Sequence, residues 1–432
     1  MTRATIFAML LTFFLTTLGL PISQPTLHIF GDSLSDTGRL HRLTFGTLPP
    51  KFYWHGRFSS GPLWNEHLSQ LLTYNLNSHA VGVAKSTSGH RRFLNLIPLD
   101  PPNTMDQILQ TTTRVHRHDI AILEIGSNDA ASALVDIAHG RLSVDAFAKR
   151  LADTVIGQLD LLKQKGFMRI LLVNLPALQH TPIVKLKHRE NVASAVVSAY
   201  NELLEAKAGE WQKHAGLDQF ALIDLARFVD TAIGPAVTRA LNITDTKSFC
   251  VGGSSSSWLG LFDDELSLTK VAKYLVAGSG SSVCHDPGSH FYFDPIHPAD
   301  RVHRLFGYCV YQVIAGYGKG LSAFEFSEDN LIAVIAIATI MSAQSSNQQR
   351  QKNIGSSPVI DTNPEQPPVY VYDWSSSEDM ANWSLTSLST NSIDTSFSSW
   401  SSLMTPSPEY VPNDESGENV ETLAGSFILE YV

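Results

Sequence analysis

Two short motifs at opposite ends of the chain carry the side chains that serine-nucleophile chemistry requires. Gly31-Asp32-Ser33-Leu34 follows the apolar run Thr26–Phe30, and Asp294-Pro295-Ile296-His297 lies much later. An Asp three residues before a His can accept from one imidazole nitrogen and leave the other to take a proton from a serine. Each motif alone has a plainer interpretation: a helix N-cap for the first, and a capping Asp beside a surface His for the second. Together they predict catalysis by a serine.

Two further segments could supply the hydrogen-bond donors that an oxyanion needs. Gly126-Ser127-Asn128-Asp129 comes directly after the apolar run Ile120–Ile125, which would place the Asn128 amide at the end of a strand. Removing a side-chain donor of this kind costs about 3–4 kcal/mol. The plainer interpretation is a turn, because all four residue types favour turns. In Ala80-Val81-Gly82-Val83-Ala84, the least specific of the segments, a backbone N–H could be a second donor.

The elements that must position these groups follow an alternating pattern of strands and helices. Short apolar or β-branched runs are separated by apolar residues at helical spacing, which predicts right-handed βαβ units and a mostly parallel sheet covered on both faces. In such a sheet the reactive groups gather beyond the carboxyl ends of the strands. The predicted strands are Thr26–Phe30, Ile120–Ile125, Arg169–Leu175 and Phe220–Asp224, and the predicted helices are Leu151–Lys165, Ala193–Trp211 and Ala299–Tyr317, with Leu331–Ile340 as a buried strand or helix.

The order and placement of these segments resemble the GDSL lipase/esterase family, part of the SGNH hydrolase superfamily. The match covers roughly residues 26–318 and includes Gly56-Arg57-Phe58-Ser59-Ser60-Gly61-Pro62-Leu63-Trp64, similar to the family's Gly-Arg-Phe-Ser-Asn-Gly segment. The resemblance implies an α/β fold, a three-layer α/β/α sandwich with a mostly parallel, flavodoxin-like sheet. The Gly-x-Ser-x-Gly elbow of α/β-hydrolases is absent from the sequence, which argues against that other fold.

The resemblance also implies a role for each motif residue. Ser33 is expected to be the nucleophile and to contribute its own N–H to the oxyanion hole. Asn128 is expected to be the side-chain donor of the same hole. His297 then acts as the general base, and Asp294 orients it. No cofactor is implied.

The glycine donor of the family falls in a block that usually reads Asn-x-Ala-x-Gly-Gly-Ala, and this chain departs from it at two positions. Ser78 replaces the Asn, and Val83 replaces the second Gly. Val83 can still supply an N–H, but a β-branched residue at positive φ is strained. The prediction for the second donor is therefore Gly82.

A cluster of histidines offers the residue types of a metal site. His285, His290 and His297 lie near Asp286 and Asp294, but their spacings match no standard zinc pattern. Turn and surface roles are the favoured interpretation of His285 and His290, and no metal is expected.

The charge of the chain is unevenly distributed. The 432 residues have a net charge of −10, yet residues 353–432 contain twelve acids and no base, which leaves the rest close to neutral. A hydrophobic fraction of 43% excludes full-length disorder, and the charge argues against nucleic acid as a partner. Residues 24–342 are predicted to form the hydrolase domain, and residues 343–432 an acidic, Ser-rich, disordered tail.

The N-terminus and the cysteines point to secretion. Residues 1–23 carry one early Arg, an apolar stretch and a Pro exit, which is typical of a signal peptide, with an uncleaved anchor or a buried helix as the alternative. A secreted chain is expected to pair two of its three cysteines, and loop positions favour Cys250 with Cys284, leaving Cys309 as a buried thiol. Asn242 and Asn382 are glycosylation acceptors.

These features predict a secreted, monomeric serine esterase or lipase that hydrolyses lipid or short-chain acyl esters through an acyl-enzyme. Transient contact with a lipid interface fits this function. The alternatives are an acyltransferase with the same acyl-enzyme, a polysaccharide deacetylase, and a weakly catalytic surface binding protein. The segment around Trp54–Trp64 favours the lipolytic branch.

Overall fold

A parallel sheet lies at the centre of the domain. The computed structural model describes residues 24–87, 92–93, 97–98, 101–251, 283–316 and 324–353. Its strands are β1 (Thr26–Gly31), β2 (Asn75–Ser78), β3 (Arg92–Phe93), β4 (Ile97–Pro98), β5 (Ile120–Glu124), β6 (Arg169–Val173), β7 (Gln219–Ile223), β8 (Asp245–Phe249) and β9 (His290–Tyr292). Within these residues five strands form one sheet in the order β2-β1-β5-β6-β7, all neighbours being parallel. This is the flavodoxin-like order.

Helices cover the sheet on both sides. They are α1 (Arg39–Leu43), α2 (Trp64–Leu72), α3 (Thr104–Gln110), α4 (Ser127–Ala138), α5 (Val144–Gln164), α6 (Pro182–Leu186), α7 (Glu190–Ala215), α8 (Leu225–Ala232), α9 (Pro235–Ala240), α10 (Asp300–Gly316) and α11 (Glu328–Asn353). Short 3₁₀ turns lie at Trp54–Gly56, Leu178–His180 and Pro287–Ser289. Two small pairs complete the described elements: β3 with β4, antiparallel, and β8 with β9, parallel.

The layers follow from the alternation of side chains along each buried strand. Leu123 of β5 faces a core cluster with α5 and α7, whereas its neighbour Ile122 faces a second cluster with α2, α8 and α10. Burying both faces requires the continuous apolar runs that predicted these strands. The three-layer α/β/α prediction is confirmed.

Two differences from the predicted elements have a physical explanation. β2 was not predicted, because Asn75-Leu76-Asn77-Ser78 is polar; it is an edge strand with one exposed and three half-buried residues. Helix α11 continues to Asn353 and so crosses the predicted domain boundary at residue 342. Its last turns are rich in Gln, Lys and Arg, residue types that favour helix. The predictions for residues 1–23 and 354–432, including Asn382, fall outside the described residues.

The structure joins Cys250 to Cys284 by a disulfide, while Cys309 is a free, fully buried thiol on α10. The disulfide lies against the strand that leads to Asp294, since the Cys250 N–H donates to the Tyr292 carbonyl at 3.2 Å. Asn242 is exposed, so that its glycosylation remains a prediction. Among the described helices, none combines the length and the apolar character that crossing a membrane requires.

Candidate active site

Ser33 lies in a tight turn at the carboxyl end of β1. The turn is closed by the Ser35 N–H, which donates to the Asp32 carbonyl at 3.2 Å, and by the Leu34 N–H, which donates to the Asp32 carboxylate at 3.0 Å. Gly31 is required for close approach, because a Cβ there would lie 2.5 Å from the Glu124 carbonyl oxygen of β5. The next helix, α1, begins only at Arg39, so the motif forms a strand-to-turn connection and not a helix N-cap.

The structure brings Ser33, His297 and Asp294 into one hydrogen-bonded chain. His297 Nε2 lies 2.7 Å from Ser33 Oγ, and His297 Nδ1 lies 2.6 Å from Asp294 Oδ2. Because the Asp294 carboxylate can only accept, Nδ1 carries the proton and Nε2 is free to accept the serine proton. Asp294 Oδ1 also accepts from the backbone N–H groups of Ile296 and His297, both at 2.7 Å. This loop geometry fixes the carboxylate relative to the ring.

Tyr53 is a partner of Asp294 that the sequence analysis missed. Its hydroxyl donates to Asp294 Oδ2 at 2.7 Å across 241 residues of sequence, so no local pattern could have revealed it. Burial, together with the Asp294 carboxylate, holds the pKa of Tyr53 well above its usual value, which keeps it a donor. Burial raises the pKa of Asp294, but the interactions with His297 and Tyr53 outweigh it, and the net pKa lies below the usual value. Asp294 is therefore ionised at neutral pH.

The Gly56–Trp64 segment holds the loop of His297 in place. The Phe58 ring packs 4.9 Å from the imidazole of His297, and Ser59 Oγ donates to the Pro298 carbonyl at 3.2 Å. Ser60 Oγ accepts from the Asp300 N–H at 3.0 Å. These contacts show that the Gly56–Trp64 segment supports the loop that carries His297.

Asn128 lies in the first turn of α4, just beyond the carboxyl end of β5, where the positive end of the helix dipole favours a developing anion. Its Nδ2 donates to the Ala84 carbonyl at 2.8 Å and, more weakly, to an Asp32 carboxylate oxygen at 3.4 Å. The next residue, Asp129, accepts from the Ser86 N–H and hydroxyl at 2.9 and 2.8 Å. These bonds tie the 84–86 segment to the start of α4, so that Asn128 and the backbone at residues 82–84 are neighbours.

The prediction of Gly82 as the second oxyanion donor is not supported, because its N–H donates to Asp36 Oδ2 at 2.7 Å. Gly82 is needed instead for packing, since a Cβ there would lie 2.5 Å from the Phe58 ring. The adjacent Val83 adopts φ +67°, the strained left-handed conformation that its place in the family block suggested. Its N–H forms no hydrogen bond with the residues that the structure describes.

Two buried carboxyl groups, neither assigned a role from the sequence, lie behind the nucleophile. Ser35 Oγ donates to Glu124 Oε2 at 2.9 Å, and Trp64 Nε1 donates to Ser35 Oγ at 3.2 Å. Burial raises the pKa of Glu124 to about 7, although hydrogen bonds from Ser35 and Asp32 oppose the change. Burial and the neighbouring Glu124 raise the pKa of Asp32 as well. A proton held by this pair limits the negative charge beside Ser33.

We expect this buried proton to make stability fall as pH rises. The Glu124 carboxyl keeps its proton up to about pH 7 in the folded chain but loses it near 4.5 when unfolded. The folded state thus binds more protons between these values, and the free energy of unfolding should drop by about 3 kcal/mol from pH 5 to pH 8 through this group. Urea unfolding of Glu124→Gln should show a correspondingly shallower dependence on pH.

Glu205→Gln is the matched control, because Glu205 is exposed on α7. It should keep the pH dependence of the wild type. Equal slopes for the wild type and Glu124→Gln would show that Glu124 is ionised in the folded protein at pH 5.

The remaining histidines of the predicted cluster lie outside the catalytic chain. His290 Nδ1 lies 3.1 Å from Ser289 Oγ, and its Nε2 lies 3.9 Å from Asp245. In the part of the chain that the structure describes, the one group of potential metal ligands is Cys250, Cys284 and His290. Because the two sulfur atoms are joined in the disulfide, this group does not fit a metal site.

A large apolar pocket borders the reacting atoms. The space between its walls is about 1010 Å³ when the part open to solvent is included. Ser33, Asn128 and His297 form part of its wall. Most other lining residues are apolar, among them Ala131, Leu134, Leu178, Ile183, Val184, Leu225, Phe228, Val229, Ile296, Val302 and Phe306. The pocket can hold an apolar group attached to a carbonyl bound at Ser33.

Comparison with known proteins agrees with this geometry. The family model described as GDSL-like Lipase/Acylhydrolase matches residues 27–310. The phosphatidylcholine-sterol acyltransferase of Aeromonas hydrophila is 28% identical over 307 residues, which cover 64% of this chain and 85% of that protein.

Similar solved structures include a lipase from a goat rumen metagenome and a putative GDSL-like lipase from Parabacteroides merdae. The first is 13% identical with a TM-score of 0.33 and covers 68% of this chain and 99% of its own. The second is 12% identical with a TM-score of 0.30 and covers 60% of this chain and 96% of its own. At such TM-scores these likenesses carry no argument about substrate.

Proposed function

Because the chain belongs to the GDSL-like lipase/acylhydrolase family, we propose that it cleaves carboxylic esters of lipids through an acyl-enzyme on Ser33. The observation that carries this proposal is the apolar pocket that begins at the hydrogen-bonded Ser33 and His297. An apolar acyl chain would lie in the pocket while its carbonyl carbon faces Ser33 Oγ. Burial of apolar surface then supplies binding energy at roughly 25 cal/mol per Å².

In the proposed reaction Ser33 Oγ attacks the ester carbonyl as its proton passes to His297 Nε2. The imidazolium formed is stabilised by Asp294, which accepts from Nδ1 at 2.6 Å. His297 then donates this proton to the departing alcohol, which leaves the acyl group bound to Ser33 Oγ. Water attacks the acyl-enzyme, gives a proton to His297, and the proton returns to Ser33 as the acid leaves.

The oxyanion of each tetrahedral intermediate needs donors aimed at it. We assign this role to the Ser33 N–H, to the Asn128 Nδ2 group, whose long 3.4 Å bond to Asp32 an oxyanion would replace, and to the Val83 N–H in place of Gly82. Support comes from the hydrogen bond that engages Gly82 with Asp36 and from the unengaged N–H of Val83. The strained φ of Val83 fits a residue held for a functional reason.

The pocket predicts a preference for long acyl chains. With a series of p-nitrophenyl esters, kcat/KM should rise with chain length as more methylenes are buried. Ala131→Phe on α4 should place a ring in the pocket and reduce kcat/KM for long-chain esters by about tenfold or more, while short-chain esters are little affected. Initial rates at several concentrations give the kcat/KM values.

Ala206→Phe is the matched control, because Ala206 is exposed on α7 and is not part of the pocket wall. It should keep the chain-length profile of the wild type. A profile of Ala131→Phe identical to the wild type would contradict the placement of the acyl chain.

A second candidate is transfer of the acyl group to an alcohol. The relationship to a phosphatidylcholine-sterol acyltransferase favours it, since the acyl-enzyme would be the same and only the acceptor would differ. Phosphatidylcholine supplied with and without cholesterol, followed by mass spectrometry of the products, separates the two: free fatty acid alone supports hydrolysis, and cholesteryl ester supports transfer.

A further inference from the structure

Two exposed apolar side chains project from the segment that follows the nucleophile. Leu43 is 51% and Phe45 85% exposed, which makes Phe45 the most exposed large apolar residue among those described. Each side chain left in water forgoes about 1.5–3 kcal/mol of burial. We call this pair the apolar tip.

The backbone of the apolar tip is held in a defined conformation. Phe45 adopts φ +52°, a left-handed conformation that is unusual for an aromatic residue. The Gly46 N–H donates to the His41 carbonyl at 2.8 Å, and the Leu48 N–H donates to Thr44 Oγ1 at 3.0 Å. These hydrogen bonds fix the turn, so the exposure of the Phe45 side chain is a property of the folded chain.

The segment that carries the apolar tip is anchored to the active site at both ends. At its start the Leu40 N–H donates to Asp36 at 2.9 Å, three residues after Ser33. At its end the Tyr53 hydroxyl donates to Asp294 at 2.7 Å. Leu40 and Leu48 are buried in the core cluster between these anchors. The apolar tip therefore belongs to a segment that is held at the carboxyl end of the sheet, where Ser33 lies.

The segment that carries the apolar tip is basic. Residues 37–65 contain no Asp or Glu but four Lys or Arg residues. Of these bases, Arg57 pairs with Glu66, whereas Arg42 and Lys51 are exposed and flank the apolar tip in the sequence. Apolar side chains flanked by cations match the surface of an anionic lipid layer, where each nearby base adds about 1 kcal/mol. A protein partner is less well suited, because a stable interface buries about 800 Å² on each side, far more than two side chains offer.

We propose that Leu43 and Phe45 insert into the surface of an anionic lipid layer, with Arg42 and Lys51 at the headgroups, and so hold the Ser33 site against lipid substrate. The benefit to catalysis rests on the proposed lipid-ester function. The binding itself does not, since it requires only the apolar tip and its flanking charges.

Vesicle co-sedimentation with the full chain carrying Ser33→Ala tests binding without turnover. Vesicles of phosphatidylcholine with phosphatidylglycerol are compared with vesicles of phosphatidylcholine alone. Added to this background, Leu43→Gln/Phe45→Asn should weaken binding to both kinds at least about tenfold. Asn at position 45 tolerates the left-handed backbone, so the fold is preserved. Arg42→Gln/Lys51→Gln should remove the preference for phosphatidylglycerol.

Leu109→Gln/Ile340→Gln is the matched control, because these side chains are 53% and 52% exposed on α3 and α11. It should bind vesicles like the Ser33→Ala parent. The proposal is overturned if the parent binds neither kind of vesicle, if the apolar-tip variant binds as tightly as the parent, or if the control is weakened equally. It is also overturned if the apolar-tip variant instead loses self-association in sedimentation velocity, which would indicate contact between two copies.

Activity on a water-soluble, monomeric ester separates this proposal from the proposed function. With Ser33 intact, the apolar-tip variant should hydrolyse that ester at the wild-type rate, while its rate on mixed vesicles falls about tenfold. Failure of the wild type on every ester would overturn the proposed function and leave the vesicle-binding result standing. Equal losses on the soluble ester and on vesicles would overturn the role of the apolar tip in reaching lipid.

Discussion

Replacing Ser33 by Ala should reduce kcat for ester hydrolysis by about 10⁴-fold or more, with the fold intact. The change removes the oxygen that lies 2.7 Å from His297 Nε2 and that would form the acyl-enzyme. A fluorophosphonate probe should label the wild type at this residue and leave Ser33→Ala unlabelled. Rates with a p-nitrophenyl ester and mass spectrometry of the labelled peptide measure both effects.

Ser35 provides the control within the same motif. It is fully buried, and its hydroxyl donates to Glu124, so Ser35→Ala should lower stability but still react with the probe. Labelling of Ser33→Ala to the same extent as the wild type would assign the nucleophile elsewhere. An unlabelled wild type would favour a binding protein over an enzyme.

The second large effect is expected from Asp294→Asn, with a loss of about 10⁴-fold in kcat and little change in KM. An amide in place of the carboxylate can donate to Nδ1 and so favours the tautomer whose Nε2 carries a proton, which cannot accept from Ser33. It also leaves the imidazolium of His297 without its counter-charge. Steady-state kinetics on a soluble ester separates kcat from KM.

Asp230→Asn is the matched control for Asp294→Asn, because Asp230 lies 2.7 Å from His180 Nε2 in an Asp–His pair that is not part of the Ser33–His297–Asp294 chain. It should leave kcat within a few-fold of the wild type. If Asp294→Asn kept more than about a tenth of the wild-type kcat, orientation of His297 by Asp294 would not be essential.

The sheet was predictable wherever a strand is buried on both faces. Runs such as Ile120–Ile125 and Arg169–Leu175 are mostly apolar, and the observed strands begin at the same residues and end one or two residues earlier. The edge strand β2 has no such run and could not be found this way. At the end of the domain, low apolar content predicts disorder from residue 343, whereas helix-favouring residues carry α11 on to Asn353.

The parts of the site that lie within one short motif could be predicted from the sequence, whereas contacts between distant segments could not. Asp294 and His297 are three residues apart, so their pairing follows from the sequence itself. The contact of His297 with Ser33 was inferred from family order, and the Tyr53–Asp294 bond from nothing at all. The role of Gly82 as oxyanion donor is not supported, and residue type alone does not reveal that its N–H donates to Asp36.

The hydrogen bond between Ser33 and His297 has a consequence for the synthesis and folding of the chain. It joins positions 264 residues apart, so neither a growing chain nor a fragment ending before His297 contains a complete proton relay. Closing so long a loop is entropically unfavourable until the intervening strands have paired, so this contact is expected to form late in folding. Hydrolytic activity regained during refolding is thus a readout of the whole native topology, whereas recovery of helical signal alone is not.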